Sequence, residues 1–132
     1  MTPTECAYVA GIIDGEGSIE FKRKPRIRRD RIGTPTYVTL IVRMEVPQVD
    51  GRLIDYLMET TKEGSRDMKH YPNNENWQDQ HRWRCGYRAV YRILKQIHRY
   101  LIIKREKAKQ VIDHYDKQFK KKTYGKGGFG AK

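Results

Sequence analysis

The sequence has little cysteine, no long apolar run and a shortage of acidic side chains. Its two cysteines, Cys6 and Cys85, cannot build the disulfide framework of a small secreted domain, and both fall within apolar patterns typical of buried thiols. No stretch approaches the roughly 20 apolar residues that a membrane span needs, and no secretory leader is recognisable. We therefore expect an intracellular protein, in cytoplasm, nucleoid or an organelle, with no membrane partner.

The shortage of acid leaves a large positive charge. The 132 residues include 28 Lys and Arg against 16 Asp and Glu, which gives a formal charge of +12 and a pI near 9.8. This exceeds the charge of about 2–8 that keeps a small domain soluble. A polyanionic partner is therefore expected, with nucleic acid favoured over a membrane surface. The length fits one domain with its own core.

The longest apolar run, AYVAGIIDGEGS, begins at position 7. Just before it, Thr2 and Glu5 fit a capping box around Pro3. The run is therefore predicted as a helix from about Pro3 to Asp14, which Gly15 ends.

One face of this helix carries almost no side chain. Ala7, Gly11 and Gly15 recur at every fourth position, which places them on one side of a helix. Such a face allows a second helix to approach closely. The alternative is an ordinary core helix that ends at a glycine cap, and this stretch alone leaves both open.

Two strands with apolar and polar residues in alternation follow. The first is predicted from Ser18 to Lys24, and counting back by twos puts Glu16 on the side of its basic residues. Residues 25–36 are rich in arginine and form either a solvated charge run or, as we prefer, a hairpin arm that reaches along a duplex. The second strand is predicted from Tyr37 to Val46 and ended by Pro47.

The pattern then changes to a helix and a second hairpin. Asp50 is the predicted N-cap of a helix that ends near Lys62. The hairpin strands are predicted over 65–71 and 78–87. In the second of them, packing residues, including Tyr87, alternate with arginines.

Two amphipathic helices close the chain, from Arg88 to Tyr100 and from about Lys104 to Phe119. The order αββαββαα predicts an α+β domain over residues 1–119, with four antiparallel strands in one layer and helices in the other. Residues 120–132 are basic and rich in glycine, and we expect a flexible tail.

The outward strand faces supply the candidate nucleic-acid contacts. A β-ribbon fits the major groove of DNA, where arginine reads guanine, while other basic side chains contact phosphates. The pattern does not sort these two roles, and the weak alternation around Arg66 leaves its face open. The candidates are Lys22, Lys24, Arg26, Arg28, Tyr37, Thr39, Arg43, Arg66, Arg82 and Arg84.

A known motif is similar to the apolar run. Val9 to Gly17, VAGIIDGEG, resembles the LAGLIDADG motif of homing endonucleases, with conservative replacements at both leucines and with Glu16 for the second aspartate. The segment YLIIK, which ends at Lys104, resembles a late segment of the same family. The resemblance covers roughly residues 3–118. It implies an αββαββα core with a four-stranded antiparallel DNA-binding sheet backed by helices and the motif helix at a dimer interface.

The resemblance also implies an active site. Glu16 and the backbone carbonyl of Gly15 would bind Mg²⁺, at two or more ions per dimer, with Mn²⁺ or Ca²⁺ as substitutes in binding. Gln48 would lie near the metal, Lys104 in the pocket, and Arg52 is a weaker candidate. The alternatives are a surface carboxylate, a helix-start glutamine and exposed helix cations. Asp14 is expected to be structural.

One motif gives one such carboxylate per chain, so cleavage of both DNA strands implies a symmetric homodimer. Its interface would include Ala7, Ala10, Gly11 and Asp14. The implied function is a site-specific, Mg²⁺-dependent, intron-encoded endonuclease that cuts double-stranded DNA at a long pseudo-palindrome. The alternative is an intron-RNA-binding maturase or a non-catalytic DNA-binding protein of the same fold.

Overall fold

The computed structural model describes residues 1–27, 37–73 and 78–127, with side chains up to Lys121. In this part of the chain, four α-helices and four strands follow in the predicted order, with a 3₁₀ turn at His98–Tyr100 before the last helix. The helices are Pro3–Glu16 (α1), Gly51–Thr61 (α2), Arg88–Ile97 (α3) and Arg105–Gly127 (α4), and the strands are Ser18–Arg26 (β1), Tyr37–Gln48 (β2), Ser65–Lys69 (β3) and Gln80–Gly86 (β4).

The strands form one antiparallel sheet in the order β1-β2-β4-β3, and the helices pack on one of its faces. Met44 and Val46 of β2 and Trp83 of β4 are fully buried under the helices. They meet apolar side chains of α1, such as Val9 and Ile13, in one cluster that extends into α2, α3 and α4. The predicted division of the clearest strand into an inward apolar face and an outward face is confirmed from Leu40 onward, but Val38, predicted on the packed face, is exposed.

Helix α1 begins at the predicted capping box but ends later than expected. It continues through Gly15 and includes Glu16, and Gly17 is its C-cap. The Gly17 N–H donates to the Ile13 carbonyl at 3.1 Å, and a Cβ at Gly17 would lie 3.0 Å from the Ile13 Cα. The close approach therefore favours glycine at this position. Glu16 is the last helical residue and is not part of the alternation of β1. Counting back by twos from the strand, as the sequence analysis did, therefore does not give the side on which Glu16 lies.

The expectation that Pro47 ends the second strand is wrong. Pro47 pairs with Arg82, and β2 runs on to Gln48. Because the Val42 carbonyl accepts the N–H of Tyr87, backbone groups at even positions of β2 point toward β4, and those at odd positions point toward β1. The N–H that proline lacks would face the β1 side, where the pairing has already stopped at Ser18. No ladder bond is lost.

Four other elements differ in their bounds from expectation. Strand β1 extends to Arg26, and both strands of the second hairpin are shorter than predicted. Helix α4 runs past Phe119 to Gly127, because residues 120–124 contain neither proline nor glycine to interrupt it. The first part of the expected flexible tail is therefore helical. The Asp50 cap of α2 is confirmed.

None of the described helices combines the length and apolar character that crossing a bilayer requires.

Candidate active site and nucleic-acid interface

The end of α1 is tied to the segment that precedes α4. The Asp14 carboxylate accepts hydrogen bonds from the backbone N–H groups of Ile102 at 2.7 Å and of Lys104 at 3.0 Å. The Lys104 Nζ donates in turn to the Asp14 carbonyl oxygen at 2.8 Å. The ammonium group therefore lies at the carbonyl end of the helix, where the helix dipole stabilises a cation.

These contacts make Asp14 a structural residue of its own chain. Burial raises the pKa of its carboxyl, but the hydrogen bonds from the backbone of Ile102 and Lys104 outweigh burial and hold the pKa below its ordinary 3.8. Because both carboxylate oxygens are occupied, Asp14 is a poor candidate for a metal ligand. Its expected place in a dimer interface stays a prediction.

Glu16 differs from Asp14 in having a free carboxylate. It is exposed, and it forms no hydrogen bond or ion pair with any residue that the structure describes. Gly15, also exposed, lies in the last turn of α1, where helix carbonyls have no partner within the helix. Hard oxygen donors are thus available at both positions.

Gln48 and Arg52 lie where β2 leads into α2. Gln48 is half-buried, and its Oε1 accepts the Val49 N–H at 2.9 Å. The Arg52 guanidinium donates to the Asp50 carboxylate through Nε at 3.0 Å and Nη2 at 2.6 Å. This pairing lowers the pKa of Asp50 to about 2. Arg52 is therefore held at the start of α2.

The sheet register brings the predicted catalytic residues to one end of the fold. Ser18 pairs with Glu45, and Glu16 comes just before Ser18 while Gln48 lies beyond Glu45 on the neighbouring strand. Both residues therefore lie at the same end of the sheet. Lys104 joins them through its bond to the last turn of α1.

The small-residue face of α1 is exposed in the protomer. A Cβ built at Gly11 or Gly15 meets no atom within 4 Å, and Ala7 is exposed as well. Ala10 corrects the expected interface set, because it is fully buried in the core of its own chain. Tyr8, which the sequence analysis did not single out, is 55% exposed beside this face.

A groove of about 710 Å³ separates α1 from α2. The rings of Tyr8 and Tyr56 meet edge to face across it, with centroids 5.1 Å apart. Gln48 and Arg52 also line the groove. Two candidates from the sequence therefore open onto the surface beside the bare face of α1.

The outward face of the sheet collects most of the predicted nucleic-acid contacts. Directly paired residues lie on the same face of a sheet. The register pairs Lys24 with Thr39, Arg26 with Tyr37, and Glu20 with Arg43. It also pairs Glu45 with Arg84 and Pro47 with Arg82. The residues on this face are Lys22, Lys24, Arg26, Tyr37, Thr39, Arg43, Arg82 and Arg84, and Arg28 lies outside the described residues.

Carboxylates that the sequence analysis did not connect with this face are paired with its cations. Glu20 accepts Lys22 at 2.7 Å and Arg43 at 2.6 Å, so one carboxylate orients cations on two strands. Those hydrogen bonds, from Lys22 first, lower the pKa of Glu20. Glu45 lies 3.5 Å from Arg43. In the sequence, these pairs were visible as opposite charges two positions apart on one strand, in EFK (Glu20 and Lys22) and RME (Arg43 and Glu45).

On the other side of the face, a carboxylate of β3 pairs with two arginines. Asp67 of β3 accepts both Nε and Nη2 of Arg82, at 2.9 and 2.8 Å, and lies 3.8 Å from Arg84. The hydrogen bond from Arg82 lowers the pKa of Asp67. Lys24 and Arg26 form no ion pair with a described residue. The face is therefore basic but partly neutralised.

Arg66 does not join this face. It pairs with the fully buried Trp83, so its side chain lies on the helix side of the sheet. There it forms an ion pair with Asp55 of α2, and its Nη2 lies 3.0 Å from His81 Nδ1. Arg66, a candidate whose face the sequence left open, is therefore not on the basic face, because a shift of one register position reverses the face of a strand residue.

Solved DNA endonucleases share this fold. The homing endonuclease I-CvuI in complex with its target, in the presence of 2 mM Ca, matches with a TM-score of 0.65 and 18% identity over 92% of this chain and 71% of that chain. The homing endonuclease I-TnaI matches with a TM-score of 0.59 and 17% identity over 98% of this chain and 81% of that chain. The LAGLIDADG meganuclease I-CpaMI bound to uncleaved DNA gives 0.63 and 13% over 92% of this chain and 38% of that chain. The chain has the fold of the LAGLIDADG homing endonucleases.

The LAGLIDADG resemblance is thus confirmed in three dimensions, with the motif as α1 and the expected four-stranded antiparallel sheet. No protein-family model and no curated protein matches the sequence. I-CvuI in complex with the I-CreI target, in the presence of 2 mM Mg and with the DNA not cleaved, matches over 83% of this chain at 18% identity and a TM-score of 0.63. There this chain spans 64% of the I-CvuI chain.

The donor atoms at the end of α1 suit a hard divalent cation. Mg²⁺ is bound through one or two carboxylates together with phosphate oxygens and water. Glu16 offers a free carboxylate and Gly15 a last-turn carbonyl. Over residues 1–27, 37–73 and 78–121, no group of three or more His, Cys, Asp and Glu side chains could hold a metal ion. These donors fit Mg²⁺ only together with oxygens from water, a phosphate or a second chain.

Proposed function

We propose that this protein is a homing-type endonuclease, which cuts double-stranded DNA at a specific, long pseudo-palindromic site as a Mg²⁺-dependent homodimer. One observation carries the proposal. The end of the LAGLIDADG helix presents a free carboxylate, Glu16, and a tethered ammonium, Lys104, beside a basic sheet face. The LAGLIDADG fold, which I-CvuI and I-CpaMI present to DNA, supports this reading.

Glu16 and the Gly15 carbonyl would hold the metal. Bound Mg²⁺ neutralises a scissile phosphate and lowers the pKa of a water molecule. Lys104 would stabilise the negative charge that develops on the phosphate, since its ammonium is fixed before substrate arrives. Gln48 would orient polar groups at the same end of the sheet, and Arg52 would contribute positive charge from the start of α2.

A second copy of the chain would complete the site. The bare face of α1 has open space beside Gly11 and Gly15, so these glycines are not explained by packing within the protomer. One chain supplies one free carboxylate at this helix end, and cutting two DNA strands requires two such sites. Pairing the α1 helices about a two-fold axis would bring the two Glu16 side chains together and extend the sheets in opposite directions.

The sheet faces would then hold the duplex. β-Ribbons fit the major groove, and side chains on the outward face would contact base edges and phosphates. The net charge of +12 supports strong, salt-dependent binding. An intron-RNA-binding maturase would use the same charge, so the test must report cleavage and not binding alone.

A cleavage selection tests the proposal. The full chain is incubated with Mg²⁺ and a library of randomised duplexes, and cut ends are sequenced. We expect one long, two-fold symmetric site to be enriched. Glu16→Gln is expected to abolish cutting of that site and to leave its affinity within a few fold, whereas Glu59→Gln, which changes an exposed glutamate on α2, should cut normally.

Two results would contradict the proposal. The first is that the wild-type chain cuts no duplex with Mg²⁺ yet binds intron RNA, which would favour the maturase. The second is that Glu16→Gln cuts as fast as the wild type, which would move the chemistry away from the end of α1.

A further inference from the structure

Tyr87, where β4 leads into α3, has a backbone conformation that tyrosine rarely adopts. Its φ and ψ are 56° and −121°, the values of the first central residue of a type II′ turn, where glycine is normally found. The conformation is held on both sides, because the Tyr87 N–H donates to the Val42 carbonyl at 2.9 Å and the Tyr87 carbonyl accepts the Tyr91 N–H at 3.2 Å. A strained position that keeps a large side chain points to a role for that side chain.

The ring is not needed for the core. Sequence alternation predicted Tyr87 on the packing side with Trp83 and Cys85, but the structure corrects this, since Tyr87 is 52% exposed. Its hydroxyl forms no hydrogen bond with any residue that the structure describes. The side chain therefore gains little from its own fold.

Tyr87 instead borders a concavity on the basic face of the sheet. The concavity has a volume of about 260 Å³, and outward-facing residues of three strands surround it. Gly86 leaves its floor without a side chain. Its lining includes Ile41, Arg43, Ser65, Arg84, Gly86 and Tyr87, together with Val42 and Cys85.

The polar groups around this concavity are mainly hydrogen-bond donors. A guanidinium has donors only, and a phenol can donate its hydroxyl proton. Arg84 is 39% exposed and lies 3.8 Å from Asp67. Arg43 is 42% exposed; its Nε and Nη2 donate to Glu20 and its Nε lies 3.5 Å from Glu45, which leaves Nη1 without a described carboxylate partner. Convergent donors with spare capacity suit an oxyanion such as a phosphate.

We propose that Tyr87, with Arg43 and Arg84, forms a subsite for a backbone phosphate of the bound duplex, and that the strained backbone holds the phenol toward it. The inference rests on the proposed function, because it requires a duplex on this face. It adds Tyr87 as a positioning residue, although the alternation of the sequence predicted this residue in the core. Protein–DNA hydrogen bonds go mostly to phosphates and sugars, and tyrosine is among their donors.

Equilibrium binding of the full chain to short duplexes tests the subsite. The probes are fluorescent 30-base-pair duplexes of three unrelated sequences, titrated in Ca²⁺ at fixed salt and read by anisotropy. Tyr87→Phe removes the hydroxyl, and Tyr87→Gly removes the ring and relieves the positive φ. Lys62→Gly is the matched control, since Lys62 also has a positive φ of 57° but caps α2 on the helix side of the sheet.

We expect both Tyr87 variants to bind each duplex about tenfold more weakly, the size of a hydrogen bond to a charged group. The loss should be the same for all three sequences, because a phosphate contact carries no base information. Thermal unfolding should show Tyr87→Gly at least as stable as the wild type. Lys62→Gly should keep its affinity within about twofold, as expected for one charge away from the contact surface.

Two outcomes would overturn the inference while leaving the proposed function intact. In the first, the wild type binds duplex and both Tyr87 variants bind equally well. The positive φ of Tyr87 would then serve only to connect β4 to α3. In the second, the loss is confined to one sequence, which would make Tyr87 a base-reading residue. If the wild type binds no duplex, the proposed function fails and the subsite fails with it.

Discussion

Asp14 and Lys104 position each other: the Asp14 carboxylate accepts the Lys104 backbone N–H at 3.0 Å, and the Lys104 ammonium donates to the Asp14 carbonyl at 2.8 Å. The two residues are far apart in sequence, so this exchange fixes the start of α4 against the end of α1. Glu16 follows two positions later. The geometry of the candidate active site therefore depends on a carboxylate that has no direct part in the proposed chemistry.

Replacement of the Asp14 carboxylate should destabilise the fold. In Asp14→Asn, the amide group keeps one acceptor but presents N–H donors to a backbone N–H that now lacks a partner. We expect the free energy of unfolding to fall by about 1–3 kcal/mol. Urea unfolding followed by circular dichroism measures this, with Asp113→Asn on the exposed side of α4 as the control. Equal stability of the two variants would contradict the clamp.

The same carboxylate gives a pH dependence of known sign. Its pKa in the folded chain lies below the ordinary 3.8 of the unfolded chain, so folding favours the charged form. The stabilisation is complete above about pH 4 and is lost as the pH falls through the folded pKa. The difference in Tm between wild type and Asp14→Asn should therefore be constant from neutral pH to about pH 5 and shrink below pH 4. A difference in Tm that grows on acidification would mean that folding does not lower the pKa of Asp14.

Lys104 should matter more for cleavage than for binding. Lys104→Met keeps the aliphatic stem and removes the ammonium, and we expect the single-turnover cleavage rate to fall about 100-fold, a typical loss for one electrostatic group. The Kd for the selected site should change only a few fold. Lys109→Met removes an exposed lysine of α4 and should leave both the rate and the Kd unchanged. A parallel loss of rate in the two variants would show a general charge effect.

The bare face of α1 should control association. Because a side chain at Gly11 meets no atom of its own chain within 4 Å, Gly11→Leu should fold normally but prevent the close approach of a second helix. We expect a dimer in the wild type and a monomer in the variant by sedimentation at micromolar concentration, with cleavage lost. Lys109→Leu adds the same side chain at an exposed site on α4 and should stay dimeric. A wild-type monomer that cuts both strands would refute this arrangement.

Glu20 should limit affinity while improving discrimination. Glu20→Gln frees Lys22 and Arg43 from a shared carboxylate, so both can contact phosphates of any sequence. We expect tighter binding to unrelated duplexes and a salt slope steeper by up to about 0.9 for each phosphate gained. Stability should fall by less than about 1 kcal/mol. Weaker binding to all duplexes would mean that Glu20 is needed to hold the two cations in place.

The sequence predicted the order of elements and where most of them begin, because period and caps are local signals. The Thr2 and Asp50 caps, the alternation of β2 and the amphipathic helices each depend on neighbours within one turn or one strand. Lys104 was assigned to the active-site pocket only through the family resemblance. Nothing local to it shows the contact with Asp14.

The errors arose where a contact distant in sequence decides the outcome. Arg66 faces the helices because its register with β4 pairs it with Trp83. Ala10 is buried because α1 turns that side to the sheet, although it is as small as its exposed neighbour Ala7. Tyr87 leaves the alternation because the chain must turn from β4 into α3. Strand pairing and helix docking set each of these, and one sequence shows neither.

The prolines of the sheet have a consequence for assembly. In the register of β1 and β2, the N–H that Pro25 lacks would point away from β2, toward the open edge of β1, and the N–H that Pro47 lacks would point to the β1 side, beyond the place where the pairing stops. An incoming strand would find no donor at either place, which weakens edge-to-edge addition on that flank. Association through the helical layer, as proposed for the dimer, would then compete less with growth of the sheet.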